Sequence, residues 1–237
     1  MEKYEILGLI PARGGSKGIP KKNIARLCHK PLIVYAIEEA LKSRYLTRVV
    51  TSTENKEIAR IAENSGSEVI MRPKNLARDY TPTFPVVEHA LNYLKKGSLR
   101  PDIIVLLQPT APLRKAAFLD EAIEILLKNK RRADAIVSLC KIDEPHPYKL
   151  KVIRNGFVQP FMMGTHGFMP RQLLSQVYRL NGAFYIVKTA VCLEKKTLLP
   201  ERTLPYLMEE KFSVNIDMPR DLVLAEYFLK LQKRRTG

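Results

Sequence analysis

The chain has 237 residues, of which 46% are hydrophobic, and it carries a formal net charge of +16 at pH 7. A chain of this length and composition can bury the core of one domain, and its three widely separated cysteines exclude a disulfide framework and zinc-site spacing. No apolar run approaches the roughly 18 residues of a membrane span and no signal-peptide pattern is present, so a cytoplasmic protein without a membrane partner is expected.

Short apolar runs and amphipathic periods alternate up to residue 140. Buried strands are predicted at residues 5–10, 48–52, 68–71, 103–107 and 135–140, and helices at residues 31–43, 54–65, 85–95 and 118–128. Gly66 is the expected C-cap of the second helix. This alternation predicts an α/β fold with a doubly wound, mostly parallel sheet.

The periodicity stops between residues 141 and 180, where prolines and glycines interrupt every pattern. This segment is predicted to be an inserted lobe of a single domain that spans residues 1–237. Its apolar residues favour a partner surface, a closing flap or a loop packed on its own domain: Phe157, Phe161, Met162, Met163, Phe168 and Met169. Beyond the lobe, strands are predicted at residues 183–187 and 213–217, and a last helix at residues 220–232.

The first predicted strand runs into a glycine-rich basic loop, Pro-Ala-Arg-Gly-Gly-Ser-Lys-Gly, at residues 11–18. Glycines let backbone N–H groups approach an anion, and Arg13, Lys17, Lys21 and Lys22 add positive charge. The loop fits neither the Walker pattern nor the dinucleotide-binding pattern. It is predicted to bind a polyphosphate, with a solvated basic turn as the alternative.

Polar residues also follow other predicted strands, where ligands of open α/β sheets bind. Gln108 and Thr110 lie in Leu-Gln-Pro-Thr-Ala-Pro-Leu-Arg at residues 107–114, whose prolines fix the backbone. In the predicted strand at residues 213–217, the side-chain period of two places Asn215 and Asp217 on one face. Two oxygen ligands there suit Mg²⁺, and an N-cap role for Asp217 is the alternative.

These motifs together resemble those of the acylneuraminate cytidylyltransferase family, which makes CMP-sialic acid and related CMP-sugars from CTP. The stretch Arg-Pro-Lys-Asn-Leu-Ala-Arg-Asp at residues 72–79 is similar to a further motif of that family, and the resemblance runs from Ile6 to about Leu231. It implies a Rossmann-like nucleotidyltransferase fold and attack of a nine-carbon 2-keto sugar acid on CTP. An eight-carbon acid or another sugar nucleotidyltransferase is the second interpretation, and a basic nucleic-acid-binding module is the third.

The resemblance also implies roles for individual residues. Nucleotide contacts are expected from Ala12, Arg13, Gly14, Gly15, Ser16, Lys17, Lys22, Asn23, Arg72 and Thr83, and catalytic roles from Arg13, Lys22 and Asp217. Mg²⁺ is expected on Asp217 and Asn215, and the acidic sugar on Gln108, Lys149, Arg171, Arg179, Asn181 and Tyr185. Asp79 is expected to cap a helix, brace Arg72 or touch ligand. A homodimer through the inserted lobe is implied, and nucleic acid is not an expected partner.

Two positions depart from the family pattern. Relatives carry Asp-x-Asp where this chain has Asn215 and Asp217, so one negative charge is missing. A neutral amide oxygen can still bind a cation or orient a water molecule. Relatives also place two aromatic residues where this chain has Leu198 and Leu199, which favours an altered sugar.

Overall fold

The structure, a computed structural model, describes residues 4–162 and 170–234. Its strands are β1 (Ile6–Pro11), β2 (Arg26–Leu27), β3 (Lys30–Pro31), β4 (Arg48–Thr53), β5 (Glu68–Met71), β6 (Ile103–Leu106), β7 (Ala135–Ile142), β8 (Lys151–Arg154), β9 (Phe157–Pro160), β10 (Val177–Lys188) and β11 (Thr203–Leu207). Its helices are α1 (Leu32–Leu41), α2 (Lys56–Asn64), α3 (Thr83–Lys96), α4 (Ala116–Lys128), α5 (Thr189–Lys195) and α6 (Pro219–Arg234).

A large sheet joins seven of the described strands in the order β11-β7-β10-β6-β1-β4-β5. Strand β1 is parallel to β4 and β6, β4 is parallel to β5, and β7 is parallel to β11. Strand β10 runs antiparallel between β6 and β7. Parallel neighbours need crossover connections: α1 joins β1 to β4, α2 joins β4 to β5, and the connection from β7 to β11 contains β10 and α5. The predicted α/β fold with a mostly parallel, doubly wound sheet is confirmed.

Helices cover both faces of this sheet because successive strand residues point to opposite sides. In β1, Ile6 and Ile10 belong to the core cluster under α1, α2 and α4, whereas Leu7 and Leu9 belong to the cluster under α3 and α5. All four side chains are at most 2% exposed. Burial on both faces explains why this strand is an unbroken apolar run in the sequence.

Helix α6 packs on a third, smaller core cluster. Ala225 of the helix meets Ile19 from the loop after β1, Leu113 from the segment after β6, and Ile216 from the segment that precedes α6. All four are buried. Burial of apolar surface, worth roughly 25 cal/mol per Å², therefore joins three segments that are distant in the sequence. The same three segments border the cleft described below.

The predicted strand at residues 213–217 is wrong, because the structure forms no strand there. The Ser213 carbonyl accepts a hydrogen bond from Arg179 at 3.1 Å, and Ser213 Oγ accepts one from Asn181 at 2.9 Å. The Ile216 N–H donates to the Thr110 carbonyl at 2.7 Å. Side chains and a loop carbonyl thus satisfy polar groups that a neighbouring strand would otherwise bond.

The sequence patterns missed the helix α5 and the strand β11, as well as the short strands β2, β3, β8 and β9. Strand β11 pairs with β7 alone and forms one edge of the large sheet. It contains Pro205, which lacks the N–H needed in a central strand but is tolerated at an edge. That proline broke the strand pattern in the sequence.

Residues 143–176 lie between the paired parts of β7 and β10, a narrower segment than the predicted 141–180 because Ile142 already pairs with Val177. Here β8 and β9 form an antiparallel hairpin around Asn155 and Gly156. The φ angles of these two residues, 52° and 80°, fit a type I′ turn. We call residues 151–160 the lobe hairpin.

The lobe hairpin exposes apolar side chains. Ile153 and Val158 face each other across the two strands, yet they are 78% and 71% exposed. The predicted apolar surface residues Phe157, Phe161 and Met162 are also exposed. The others, Met163, Phe168 and Met169, lie outside the described residues.

Candidate active site

A cleft of about 330 Å³ opens at the carboxyl ends of β1, β5 and β6, where the parallel topology predicts a ligand site. Most residues predicted to bind nucleotide or metal line it, together with Gln108, which was predicted to bind the sugar acid: Arg13, Gly15, Ser16, Lys22, Asn23, Arg72, Thr83, Asn215 and Asp217. Ala12 does not, because its side chain is fully buried in the core. Gly14 and Lys17 flank the lining residues in the loop.

The glycine-rich loop contains glycines with two different purposes. At Gly18, a Cβ atom would overlap the carbonyl oxygen of Asp217, and at Gly14 it would lie 2.6 Å from Asn55 Nδ2. At Gly15, a Cβ atom would meet nothing within 4 Å, although the residue lines the cleft. Gly14 and Gly18 therefore let the loop pack on its neighbours, whereas Gly15 keeps space open for a ligand.

Alanine substitutions should separate these two purposes. We expect Gly18→Ala to lower the free energy of unfolding by about 1–3 kcal/mol, because a backbone oxygen cannot move aside cheaply. Gly15→Ala should change it by less than about 0.5 kcal/mol and instead weaken nucleotide binding. Urea unfolding and calorimetric CTP titration of both variants check this. Equal loss of stability in the two variants would contradict it.

The basic side chains of the loop are paired with carboxylates. Arg13 and Lys17 contact Asp79 at 2.8 Å and 3.5 Å, and Lys22 Nζ lies 2.8 Å from Asp217 Oδ1. Of the three roles expected for Asp79, helix capping and bracing of Arg72 are not seen, since its recorded partners are the loop cations. Three cations against two carboxylates leave the site positive, which suits a polyanion.

Arg72 is held by Glu54, a residue that the sequence motifs did not single out. Its guanidinium is buried, and Nε and Nη2 donate to Glu54 Oε2 at 3.3 Å and 3.1 Å. Burial lowers the pKa of Arg72, and the charge of Glu54 opposes that shift. Glu54 directly follows β4, so the strand-end rule that located Gln108 could have found it.

Asn215 and Asp217 lie at the edge of the cleft and offer oxygen atoms for a cation. Asn215 Oδ1 is buried without a hydrogen-bond partner, and Asn215 Nδ2 lies 3.4 Å from Asp217 Oδ2. No cluster of three or more His, Cys, Asp or Glu residues suited to a metal occurs among residues 4–162 and 170–234. An unpaired amide oxygen beside one carboxylate fits a Mg²⁺ ion that keeps several water ligands.

The N-cap alternative for Asp217 is not what the structure shows. The carboxylate of Asp221 in the first turn of α6 accepts the N–H groups of Asp217 and Met218 at 2.9 Å and 2.8 Å. This is one half of a capping box, in which a first-turn acid bonds the backbone before the helix. The carboxylate of Asp217 therefore remains available to Lys22 and to a ligand.

Gln108 is positioned by Arg114, a buried residue in the same segment after β6. Arg114 is 1% exposed, and its guanidinium donates to the carbonyl oxygens of Gln108 and, at 2.7 Å, of Ala183. Burial lowers the pKa of Arg114 to about 9. The Gln108 side chain lies over Gly182, whose φ of 72° places it in the left-handed region. A side chain at position 182 would occupy the position of the Gln108 amide.

The other residues predicted to bind the sugar lie away from the cleft of this chain. Lys149 pairs with Glu144 at 2.6 Å. Arg179 and Asn181 bond Ser213, and Asn181 is fully buried. Tyr185 is half-buried in the core under α3, and burial raises its pKa. Arg171 begins a 3-10 turn, and its side chain lies outside the described part of the structure.

Similarity to known proteins agrees with this architecture. A family model described as "Cytidylyltransferase" matches residues 7–221. The chain is 32% identical over 231 residues to the CMP-N,N'-diacetyllegionaminic acid synthase of Legionella pneumophila, covering 96% of this chain and 97% of that protein. It is 30% identical over 223 residues to the N-acylneuraminate cytidylyltransferase of Escherichia coli, covering 94% of this chain but about half, 52%, of that protein.

A solved structure shares the fold. The CMP:2-keto-3-deoxy-manno-octonic acid synthetase complexed with CTP superposes with a TM-score of 0.71 at 16% identity, covering 96% of this chain and 99% of that one. The strand order and the cleft define an open α/β fold with its ligand site at the carboxyl edge of the sheet. The chain belongs to the cytidylyltransferase family, as the family model over most of its length shows. Within the described residues, no helix is both long and apolar enough to cross a membrane.

Proposed function

We propose that this chain joins CTP to the anomeric hydroxyl of a nine-carbon 2-keto sugar acid of the sialic or legionaminic type. The single observation that carries the proposal is the cleft, which places the cations of the glycine-rich loop beside the side-chain oxygens of Asn215 and Asp217, two groups suited to a metal. Lys22 Nζ lies 2.8 Å from Asp217 Oδ1 at this junction. The names of the relatives support the nine-carbon acid.

In the proposed reaction, the anomeric oxygen forms a bond to the α-phosphorus of CTP. The bond from that phosphorus to the bridging oxygen of the β-phosphate breaks, pyrophosphate leaves, and the hydroxyl proton passes to solvent. Such a displacement needs mainly placement and charge stabilisation. The products are the CMP-sugar and pyrophosphate.

The residues of the cleft divide this work. Arg13, Ser16 and Lys17 hold the β- and γ-phosphates, and Lys22 stabilises charge at the α-phosphate. Gln108 orients the sugar. A Mg²⁺ ion bound by Asp217 and Asn215 would add positive charge at the phosphates.

Substrate profiling tests this function. Pyrophosphate release should require CTP, Mg²⁺ and a nonulosonic acid, and should not occur with ATP or GTP. N-acetylneuraminic acid and its legionaminic-type deoxy relatives form the first panel. Turnover restricted to an eight-carbon keto acid would favour the second interpretation instead. No turnover across the panel, with tight and steeply salt-dependent binding of DNA or RNA, would favour the nucleic-acid module.

We also propose that two copies associate through the lobe hairpin. An isolated two-stranded hairpin is at best marginally stable in water, and this one exposes Ile153 and Val158 by 78% and 71%. Covering these side chains with a second copy would stabilise the hairpin. We further propose that Lys149, which does not line the cleft of its own chain, and Arg171 contact the sugar acid in the cleft of the partner.

Light scattering during size exclusion checks the association. The unmodified chain should elute as a dimer, and Ile153→Lys combined with Val158→Lys should elute as a monomer with reduced turnover. Val223→Lys on α6 is a matched control, because Val223 is also 71% exposed but lies outside the lobe. A monomeric unmodified chain, or a dimer that survives the double substitution, would refute this interface.

A cytoplasmic location is the last part of the proposal. Cys28, Cys140 and Cys192 are all free thiols, as is usual in a reducing compartment. Burial raises the pKa of Cys192 to about 11, so its thiol stays protonated and unreactive near neutral pH.

A further inference from the structure

Glu54 joins two separate parts of the cleft through its two carboxylate oxygens. Oε1 accepts the N–H of Gly14 in the glycine-rich loop at 2.6 Å. Oε2 accepts Nε and Nη2 of Arg72, which follows β5, at 3.3 Å and 3.1 Å. No other carboxylate among the described residues bonds both the loop backbone and an arginine of the cleft.

The hydrogen bond to Glu54 removes the Gly14 N–H from the donors that the loop can present to an anion. The N–H of Gly14 was expected to face a phosphate, but it is bonded to Glu54 instead. Its acceptor is a carboxylate oxygen, so the hydrogen bond is charge-assisted. A Cβ atom at Gly14 would also press on Asn55, the residue after Glu54, so the loop rests directly on this turn. Glu54 thus fixes the position of the loop backbone at Gly14.

The bond to Arg72 compensates a buried cation. The Arg72 side chain is 3% exposed and that of Glu54 is 14% exposed. Burying an arginine without a counter-charge is costly, and the neighbouring positive charge of Arg13 adds to the cost. The carboxylate of Glu54 therefore offsets the cost of burying the charged guanidinium of Arg72 and orients it at the cleft wall.

We infer that Glu54 is a positioning residue that fixes the glycine-rich loop and Arg72 relative to each other, so that both can bind the triphosphate. The inference rests on the proposed function, in that the ligand is taken to be CTP. Glu54 itself does not line the cleft. It acts on the nucleotide only through Gly14 and Arg72.

Glu54→Gln tests the inference, because the amide places a donor NH2 group where one of the two carboxylate oxygens now accepts, either from Gly14 or from Arg72. Since the glycine-rich loop and Arg72 border the cleft and would hold the triphosphate throughout the reaction, KM for CTP should rise about tenfold while kcat and KM for the sugar acid change less than twofold. Glu57→Gln is the matched control. Glu57 lies at the start of α2 and pairs with Lys21 at 2.7 Å, outside the cleft.

A double-substitution cycle separates positioning from stability. In an Arg72→Met background, Glu54→Gln should weaken calorimetric CTP binding by clearly less than tenfold, because one of its two routes is gone. If Glu54 only stabilised the fold, the melting temperature would fall while the CTP effect was absent or equal in both backgrounds. CTP binding by Glu54→Gln within twofold of the unmodified protein would overturn the inference.

A measurement without nucleotide keeps this test separate from the proposed function. The amide proton of Gly14 should exchange faster with solvent in Glu54→Gln but not in Glu57→Gln. Unchanged exchange would overturn the inference even if CTP is the substrate. If the unmodified chain releases no pyrophosphate from CTP, the proposed function fails, while faster Gly14 exchange would still establish the positioning contact.

Discussion

Lys22→Met is expected to lower kcat by about 100-fold or more while leaving KM for CTP within about threefold. The Lys22 side chain is 18% exposed, and its ammonium nitrogen lies 2.8 Å from Asp217 Oδ1 in the cleft. Charge that develops at the α-phosphate during bond exchange would be stabilised there, so the loss falls on the transition state. Methionine keeps the apolar stem. Steady-state rates of pyrophosphate release measure the effect.

The adjacent lysine offers a matched control. Lys21 pairs with Glu57, its side chain is 63% exposed, and it does not line the cleft. Lys21→Met should therefore keep kcat within about twofold, since exposed ion pairs contribute little. Normal turnover by Lys22→Met, or an equal loss in both variants, would remove Lys22 from the catalytic group.

Asp217→Asn should lower kcat by about 100-fold and raise the Mg²⁺ concentration needed for half-maximal rate by about tenfold. The substitution removes the carboxylate beside the unpaired Asn215 Oδ1. The Asp217 side chain is 63% exposed, so the free energy of unfolding should hardly change. Titration of Mn²⁺ followed by electron paramagnetic resonance gives a metal affinity that does not depend on turnover.

The reverse change at the neighbouring position completes this test. Asn215→Asp adds one carboxylate and should lower the half-maximal Mg²⁺ concentration. The paired variants therefore shift the metal titration in opposite directions. A titration that is identical in Asp217→Asn and the unmodified protein would assign Asp217 to the ion pair with Lys22 alone.

Most of the large sheet follows from local pattern. The apolar run of β1 is buried on both faces, and such runs separated by amphipathic helices allow few arrangements other than a doubly wound sheet. The segment at residues 213–217 was wrongly predicted to be a strand because polar and apolar residues alternate along it. In fact Arg179 bonds the backbone carbonyl of Ser213 and Asn181 bonds the Ser213 hydroxyl, and both side chains are distant in the sequence.

The sequence by itself determined the fold class, the glycine-rich loop and most residues of the cleft, because these depend on local patterns at strand ends. Only the tertiary structure decided which groups meet there. Asp79 pairs with Arg13, and Glu54 bonds Gly14 and Arg72. Such pairings depend on the order in which strands lie side by side, and no local pattern encodes that order. A carboxylate at a strand end is therefore visible in the sequence, whereas its partner is not.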